Sequence, residues 1–184
     1  MDNGASSYRR FLDGDDFGMV ELVRDYKDGL LLYLNSYINS LSIAEDCVQD
    51  TFIKLAIKKP KFRGDSSFKT WLYTIGRNTA LSYLRKASRH GDISIDECED
   101  PASEIDLEWE YLREEQKIIL HKTLRRLKTE YRQVLYLAYF EDFSNTETAK
   151  IMRKTKKQVE NLLYNARKTL KSELEKEGFH YEKL

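Results

Sequence analysis

The sequence predicts an all-α protein with two small helical domains joined by an acidic linker. Apolar residues recur at helical spacing along most of the 184-residue chain, without any sustained alternation of apolar and polar residues. Only two prolines and eight glycines interrupt the chain. A strongly acidic segment around Pro101 has few large apolar residues, which is typical of a boundary between domains.

The apolar pattern predicts a series of helices, taken here in chain order. Because 41% of the residues are hydrophobic, the chain can bury a real core. We assign residues 12–90 to the first domain, 91–112 to the acidic linker and 113–178 to the second domain. The predicted helices lie at residues 15–40, 43–59, 67–88, 108–127, 129–141, 145–152 and 155–177.

The net charge of zero is an average over segments of opposite sign. Residues 1–53 carry 4 basic and 10 acidic groups, whereas residues 54–90 carry 10 basic groups and one acidic group. Residues 91–116 carry one basic and 11 acidic groups, and residues 117–184 carry 16 and 9. Two basic blocks therefore flank an acidic one. Such blocks are either solvated faces or surfaces for nucleic acid.

Several classes of protein are not expected. No apolar run approaches the roughly 18 residues of a membrane span, and the N-terminus lacks the apolar stretch of a secretory signal, so we expect a cytoplasmic protein. Cys47 and Cys98 show no CxxC spacing and the three histidines are scattered, which predicts reduced thiols, no metal and no cofactor. Asp46 and Asp50 could in principle hold a metal, but no nucleophile–base set is evident and an enzyme is not expected.

The helix over residues 43–59 has two distinct faces. At 100° per residue one arc is apolar or small and packs inward; it contains Ala44, Cys47, Val48, Thr51, Phe52 and Leu55. The opposite arc is acidic or polar and contains Glu45, Asp46, Gln49 and Asp50. An acidic face of this kind serves either solubility or the docking of a basic partner.

Residues 58–71 form a basic turn interleaved with aromatic residues. Aromatic rings stack on unpaired bases while Lys and Arg follow phosphates, a combination suited to single-stranded nucleic acid. The alternative is a connecting loop whose aromatic residues belong to the core, as the spacing of Trp71, Leu72 and Ile75 suggests. Ser66 or Ser67 is expected to cap the next helix, whose basic side could lie along a DNA backbone and contains Arg77, Asn78, Arg85, Lys86 and Arg89.

The second domain carries two consecutive capping boxes, Ser144–Glu147 and Thr155–Gln158, which predict a helix-turn-helix across residues 153–154. On its second helix, the packed face contains Val159, Leu162, Leu163, Ala166 and Leu170. The opposite face has side chains that reach phosphates and base edges: Lys157, Asn161, Tyr164, Asn165 and Lys168. A helical hairpin with a solvated face is the alternative.

These segments resemble the extracytoplasmic-function sigma factors, the small two-domain initiation subunits of bacterial RNA polymerase. The resemblance covers most of the chain, about residues 12–90 and 113–178. Its most specific segment is FRGDSSFKTWLY, residues 62–73; AEDCVQDTF at 44–52, RNTA at 77–80 and the helix-turn-helix at 144–167 agree with the family pattern. The chain departs from that pattern at Arg153, where the family often has glycine in the turn, and at Thr74, Glu160 and Leu162.

The resemblance implies a role for each surface. The acidic face is expected to dock on the clamp helices of the largest polymerase subunit through Asp46, Gln49 and Asp50. The loop and the following helix are expected to capture the melted −10 element, and their site residues are Phe62, Arg63, Gly64, Ser66, Ser67, Trp71, Arg77 and Asn78. Of these, Trp71 is expected to support the loop. The recognition helix is expected to read the duplex −35 element, its domain resting on the polymerase flap, through Lys156, Lys157, Gln158, Asn161, Asn165, Arg167 and Lys168.

The resemblance further implies an anti-sigma factor as regulator and no small-molecule substrate. Three other functions stay open on the residues alone. A stand-alone helix-turn-helix regulator would bind specific DNA without polymerase but leaves residues 1–90 unexplained. A helical nuclease would need a metal site, and an interaction adaptor would keep its DNA binding unchanged when Lys157 and Asn161 are replaced.

Overall fold

The structure is a computed structural model that describes residues 3–90 and 114–178, and these ranges fold as helices and short connections. The first range holds α1 (Asn3–Leu12), α2 (Phe17–Ile38), α3 (Leu41–Lys58) and α4 (Phe68–His90). The second holds α5 (Glu114–Arg126), α6 (Thr129–Leu135), a π-helical segment (Tyr136–Phe140), α7 (Asn145–Met152) and α8 (Lys156–Lys176). The all-α prediction is confirmed for these ranges. The predicted linker, 91–112, lies outside the described residues.

Helix α1 is absent from the sequence-based prediction, because its ten residues contain few apolar side chains. Aromatic contacts hold it in place: the Tyr8 ring lies 5.5 Å from that of Phe68 and 5.4 Å from that of Trp71, centroid to centroid. The Tyr8 hydroxyl also donates a hydrogen bond of 2.8 Å to the carbonyl oxygen of Pro60. Tertiary packing therefore makes a helix of a segment that is too short to be stable alone.

The first domain packs α1 and α3 on α2 and closes the bundle with α4. The inward arc predicted for α3 is confirmed, since all six of its residues are buried. Asp15 sets the start of α2, because its carboxylate accepts a hydrogen bond of 3.0 Å from the backbone N–H of Phe17. α2 and α3 are followed by the C-caps Asn39 and Lys59, both with positive φ, so the two helices end two residues and one residue earlier than predicted, while α3 begins two residues earlier.

The second domain is organised around its two capping boxes, both of which form as predicted. They start α7 and α8, and the turn between these helices is closed by Arg153 at φ 55°. Val159, Leu163 and Ala166 are buried on the inward face of α8, which packs on α6 and α7. The predicted helix over 129–141 is α6 continued by the π-helical segment.

The two domains pack on each other. α7 lies on α4, while α6 and the π-helical segment lie on α2. Tyr73 of α4 and Phe143, which precedes α7, stand edge to face with ring centroids 5.0 Å apart. The buried apolar side chains of both domains form one continuous cluster. This packing places the start of the helix-turn-helix against the loop and helix that the sequence assigns to the −10 element.

Candidate polymerase and nucleic-acid interfaces

The outward face of α3 presents Asp46, Gln49 and Asp50 to solvent. Their spacing of three and four residues places them in one stripe along the helix. The stripe continues into Ile53 and Ile57, whose side chains are 51% and 76% exposed. Two isoleucines on the otherwise polar face of α3 are a sequence signal for this exposed apolar extension of the stripe. The face is therefore acidic at its start and apolar at its end, a surface suited to an amphipathic basic partner.

A groove of about 490 Å³ runs beside this stripe, between α2 and α3. Its lining is mostly apolar, with three polar or charged residues among the eight: Val23, Lys27, Leu31, Glu45, Val48, Gln49, Phe52 and Ile53. Gln49 and Ile53 thus belong to both the stripe and the groove. Together they form one continuous candidate docking surface.

Cys47 lies behind the acidic stripe, 2% exposed. Burial, followed by the nearby carboxylates of Asp50 and Asp46, raises the pKa of the thiol to about 11. The thiol is therefore protonated at neutral pH and acts as a small apolar core group.

Phe62, in the loop before α4, and Trp71, on α4 itself, both pack against the core cluster. The Phe62 ring lies 5.6 Å from that of Phe68 and 5.2 Å from that of Trp71, and both Phe62 and Trp71 are half-buried. Arg63 and Gly64 are exposed, with Gly64 at φ 78°, a conformation that favours glycine. The aromatic residues therefore support the loop, and its exposed tip is basic.

Ser67 rather than Ser66 caps α4, because the Ser67 hydroxyl accepts a hydrogen bond of 3.2 Å from the backbone N–H of Thr70. Ser66 is half-buried, and its hydroxyl lies 3.3 Å from the Ser67 carbonyl oxygen. The hydroxyls of Ser67 and Thr70 also lie 3.1 Å from Oε1 of Glu147, on α7. The hydroxyls at the start of α4 are thus already engaged by the second domain.

Glu147 has two roles in this arrangement. Its Oε2 completes the capping box by accepting a hydrogen bond of 3.1 Å from the backbone N–H of Ser144. Burial raises the pKa of Glu147, but hydrogen bonds from Ser144, Ser67 and Thr70 outweigh this effect and hold the pKa below its ordinary value. The side chain is therefore ionised at neutral pH.

Arg77 and Asn78 lie on adjacent sides of α4. The Arg77 guanidinium stands over the Tyr37 ring, 5.7 Å from its centroid, and its Nε is buried without a hydrogen-bond partner among the described residues. The Asn78 side-chain oxygen accepts a hydrogen bond of 2.9 Å from the Arg153 guanidinium. Of these two candidates, Asn78 faces the second domain and Arg77 packs within the first.

The recognition helix α8 presents its predicted residues to solvent. All seven are exposed: Lys156, Lys157, Gln158, Asn161, Asn165, Arg167 and Lys168. Tyr164 joins them at 68% exposure. Gln158 is partly engaged because its side-chain oxygen accepts a hydrogen bond from the Thr155 backbone, and Arg167 lies over the Tyr139 ring at 5.3 Å. The remaining polar groups form an open basic and amide face.

The three predicted surfaces therefore differ in how far they are exposed to solvent. The α3 stripe and the α8 face are open, whereas the loop and α4 surface is partly covered by α7. Lys69 and the Asp65 carbonyl, which are not among the predicted site residues, also contact the second domain there.

Within the described ranges no group of three or more His, Cys, Asp or Glu residues is placed to hold a metal ion. In the same ranges no helix has both the length and the apolarity of a membrane span.

Comparisons with known proteins agree with this architecture. Residues 22–90 match the family model for sigma-70 region 2, and residues 117–170 match that for sigma-70 region 4. The RNA polymerase sigma factor YlaC of Bacillus subtilis is 33% identical over 85% of this chain and 91% of its own. The ECF RNA polymerase sigma-E factor of Escherichia coli is 30% identical over 90% of this chain and 91% of its own.

Among solved structures, the fold is similar to that of the sigma factor RpoE from Bartonella quintana, crystallised in complex with the anti-sigma factor NepR. The TM-score is 0.66 at 26% identity, covering 84% of this chain and 95% of RpoE. The region 2 match lies within the first described range, residues 3–90, and the region 4 match lies within the second, residues 114–178. The chain belongs to the extracytoplasmic-function group of the sigma-70 family, and it is an alternative sigma factor, a non-catalytic subunit that initiates transcription with RNA polymerase.

Proposed function

We propose that this sigma factor divides its work among three surfaces. The α3 stripe docks on the polymerase clamp helices, the loop and α4 capture the melted −10 strand, and α8 reads the −35 duplex while its domain rests on the flap. The units are the predicted domains, 12–90 and 113–178, with α1 added to the first because Tyr8 and Phe11 pack into its core. The single observation that carries this proposal is the separation of an exposed acidic stripe from an exposed basic helix face.

The energetics favour capture only within the polymerase complex. Flipping a base out of the stack costs a few kcal/mol, and stacking on a protein surface returns about 1–3 kcal/mol per base. Phe62 and Trp71 are half-buried in the core cluster, so little aromatic surface is left for that stacking. The free protein is therefore expected to bind promoter DNA weakly. Its place of action is the cytoplasm, where transcription takes place. Binding of promoter duplex by the purified protein at nanomolar affinity and physiological salt would contradict this proposal and favour a stand-alone regulator.

Run-off transcription with core polymerase and a promoter library tests the function. Stimulation of a subset of promoters is expected, and failure to stimulate any promoter would sink the proposal for this chain. We also propose an anti-sigma factor as regulator, as in the RpoE and NepR complex. This anti-sigma factor must be absent from the transcription assay.

Asp50→Arg tests the docking stripe. The substitution places a cation where the acidic part of the α3 stripe meets its apolar part, at an exposed side chain that does not enter the core. We expect at least a tenfold loss of affinity for core polymerase, since close like charges at an interface cost several kcal/mol. Asp13→Arg is the matched control, because Asp13 is equally exposed but lies in the turn after α1. Equal affinities of the two variants in a binding titration would refute the docking stripe.

Asn161→Ala tests the recognition helix. The loss of one amide that pairs with base edges is expected to cost about 1–3 kcal/mol and to relax preference at one −35 position. Ser172→Ala is the control, since it lies about 16 Å further along α8 at 1.5 Å per residue and is also exposed. Transcription from promoters with single changes in either element separates the effects. An equal loss of selectivity at both elements would contradict the assignment of α8.

A further inference from the structure

The exposed side of α8 is not uniform, because two of its polar side chains are already engaged. The Gln158 side-chain oxygen completes the capping box by accepting a hydrogen bond of 2.8 Å from the Thr155 backbone N–H. The Arg167 guanidinium lies over the Tyr139 ring, 5.3 Å from its centroid. While these contacts last, Gln158 cannot offer both halves of its amide to a base, and Arg167 is held against the π-helical segment. Other side chains of α8 are better placed to contact bases.

Asn161 and Asn165 are exposed, and their side chains have no hydrogen-bond partner among the described residues. They stand one turn apart, so both amides lie on the same side of α8. Tyr164, three residues after Asn161, is 68% exposed on that side. At 100° per residue the three positions centre directly opposite the buried stripe of the helix. We call these three residues the reading cluster, because they project furthest from the body of the domain.

Lysines flank the reading cluster at both ends. Lys157 lies one turn before Asn161, and Lys168 lies one turn after Tyr164. The two lysines are eleven residues apart, which corresponds to about 16 Å at 1.5 Å per residue. The major groove of B-DNA is about 12 Å wide, so two flexible cations at this separation can reach the phosphates on its two sides. The base edges between the two backbones then face the reading cluster.

The chemistry of the reading cluster favours one base pair. A side-chain amide offers one donor and one acceptor, and adenine presents the complementary N7 acceptor and N6 donor in the major groove. Guanine presents two acceptors there, which suit Arg or Lys. Thymine, the partner of adenine, presents a methyl group on which an exposed ring packs. The cluster contains no cation, and the Glu160 carboxylate at its edge, 3.9 Å from Lys157 Nζ, has no donor for guanine.

We propose that Asn161 and Asn165 select two adenines in the −35 element, and that Tyr164 packs on a thymine methyl group beside them. Lys157 and Lys168 hold the phosphates on either side. The two amides lie about 6 Å apart along the helix axis and base pairs are stacked about 3.4 Å apart, so the two adenines are expected within two base pairs of each other. This specificity rests on the proposed function, in which α8 reads the −35 duplex, and it adds which base pairs are read.

Base analogues test the contacts in the polymerase complex, one atom at a time. Holoenzyme containing the full chain first transcribes a promoter library randomised across the −35 element, and two positions that require an A·T pair are expected. At either position 7-deazaadenine removes the N7 acceptor, and we expect it to weaken promoter binding by holoenzyme about fivefold or more. The control is 2,6-diaminopurine, which adds an amino group in the minor groove and leaves the major-groove edge unchanged. Uracil in place of thymine removes the methyl group and tests the contact of Tyr164.

Asn161→Ala and Asn165→Ala assign the two adenines. Each variant is expected to tolerate 7-deazaadenine at one position and to remain sensitive at the other, and the two variants are expected to differ in which position is tolerant. Both replace an exposed amide by the residue of highest helix propensity, so α8 is expected to remain folded. Ser172→Ala is the matched control, since Ser172 is exposed on α8 about 16 Å beyond Asn161. We expect this control to stay sensitive at both positions.

Asn165→Arg tests the same contact with the opposite outcome. Arginine pairs with O6 and N7 of guanine, so the variant is expected to prefer guanine to adenine about fivefold or more at the position assigned to Asn165. The position assigned to Asn161 should still require adenine. Adenine retained at both positions would mean that α8 reads the shape of the duplex rather than its base edges, and this result would overturn the proposal.

Three other results would also overturn it. The first is a library in which no two positions within two base pairs of each other require A·T. The second is a wild type that tolerates 7-deazaadenine as well as it tolerates 2,6-diaminopurine. The third is an equal response of Asn161→Ala, Asn165→Ala and Ser172→Ala to the analogues. Failure of transcription at every promoter would instead overturn the proposed function, so the two failures are distinguishable.

Discussion

Replacement of Arg153 by glycine tests how the turn of the helix-turn-helix is built. Arg153 has φ 55° and ψ 46°, and its backbone N–H is bonded to the carbonyl oxygens of Ala149 and Lys150 at the end of α7. This left-handed conformation costs a residue with a Cβ about 1–2 kcal/mol, whereas glycine adopts it freely. The backbone of the turn therefore favours glycine even though the side chain of arginine contacts Asn78.

The size of the effect follows from opposing contributions. Glycine relieves about 1–2 kcal/mol of backbone strain but loses about 0.5–1 kcal/mol more conformational entropy on folding than alanine. The balance predicts that Arg153→Gly is more stable than Arg153→Ala by about 0.5–1 kcal/mol. Both variants lose the hydrogen bond to Asn78, which contributes about 0.5–1.5 kcal/mol, so the comparison of the two isolates the backbone.

Urea denaturation of the full chain, followed by far-UV circular dichroism, measures this difference. With a slope of about 2 kcal/mol per molar urea, the midpoint of Arg153→Gly is expected about 0.25–0.5 M above that of Arg153→Ala. The −35 preference of both variants should match that of the wild type, because Arg153 is outside the exposed face of α8. A midpoint for the glycine variant at or below that of the alanine variant would refute the strained turn.

Two further predictions concern ionisable groups. The pKa of Cys47 is raised to about 11 and its side chain is 2% exposed, so iodoacetamide at pH 8 should modify it far more slowly in the native protein than in urea. Peptide mapping measures the two rates, and equal rates would contradict the burial of Cys47. Burial, and then Arg125, lowers the pKa of His121 below its ordinary value of 6.5, so its contribution to stability is present above that pH and is lost as the pH falls through the lowered pKa. His121→Gln should flatten the fall in melting temperature below about pH 6.5; the same slope in both proteins would contradict this.

Local signals in the sequence were sufficient for much of the fold. The two capping boxes predict α7 at its observed bounds and α8 within one residue at each end, because side-chain caps fix where a helix starts. The inward arc of α3 follows from periodicity alone, and all six of its residues are buried. The exposure of the predicted residues on α8 has the same origin, since that face lies opposite a buried stripe.

What could not be predicted depends on contacts between distant segments. α1 has few apolar residues and is held by its packing on α2 and by the contacts of Tyr8 with Phe68 and Trp71. Phe62 is half-buried because its ring packs on those of Phe68 and Trp71, which the sequence offered as one of two readings of the basic loop. The docking of the two domains leaves no periodic signal, since Glu147 is also the residue a capping box requires. A residue with one evident local role gave no sign of its second, long-range role.

The strength of the interdomain contact decides how readily the two domains separate. Burial of one phenylalanine ring contributes about 1.5–3 kcal/mol, which Phe143 supplies at 6% exposure. Each polar bond across the interface adds about 0.5–1.5 kcal/mol, and the solvent-facing ones with Lys150 and Arg153 stand at the low end. The freedom that the domains regain on separating offsets part of this sum, and each net 1.4 kcal/mol favours the docked form tenfold.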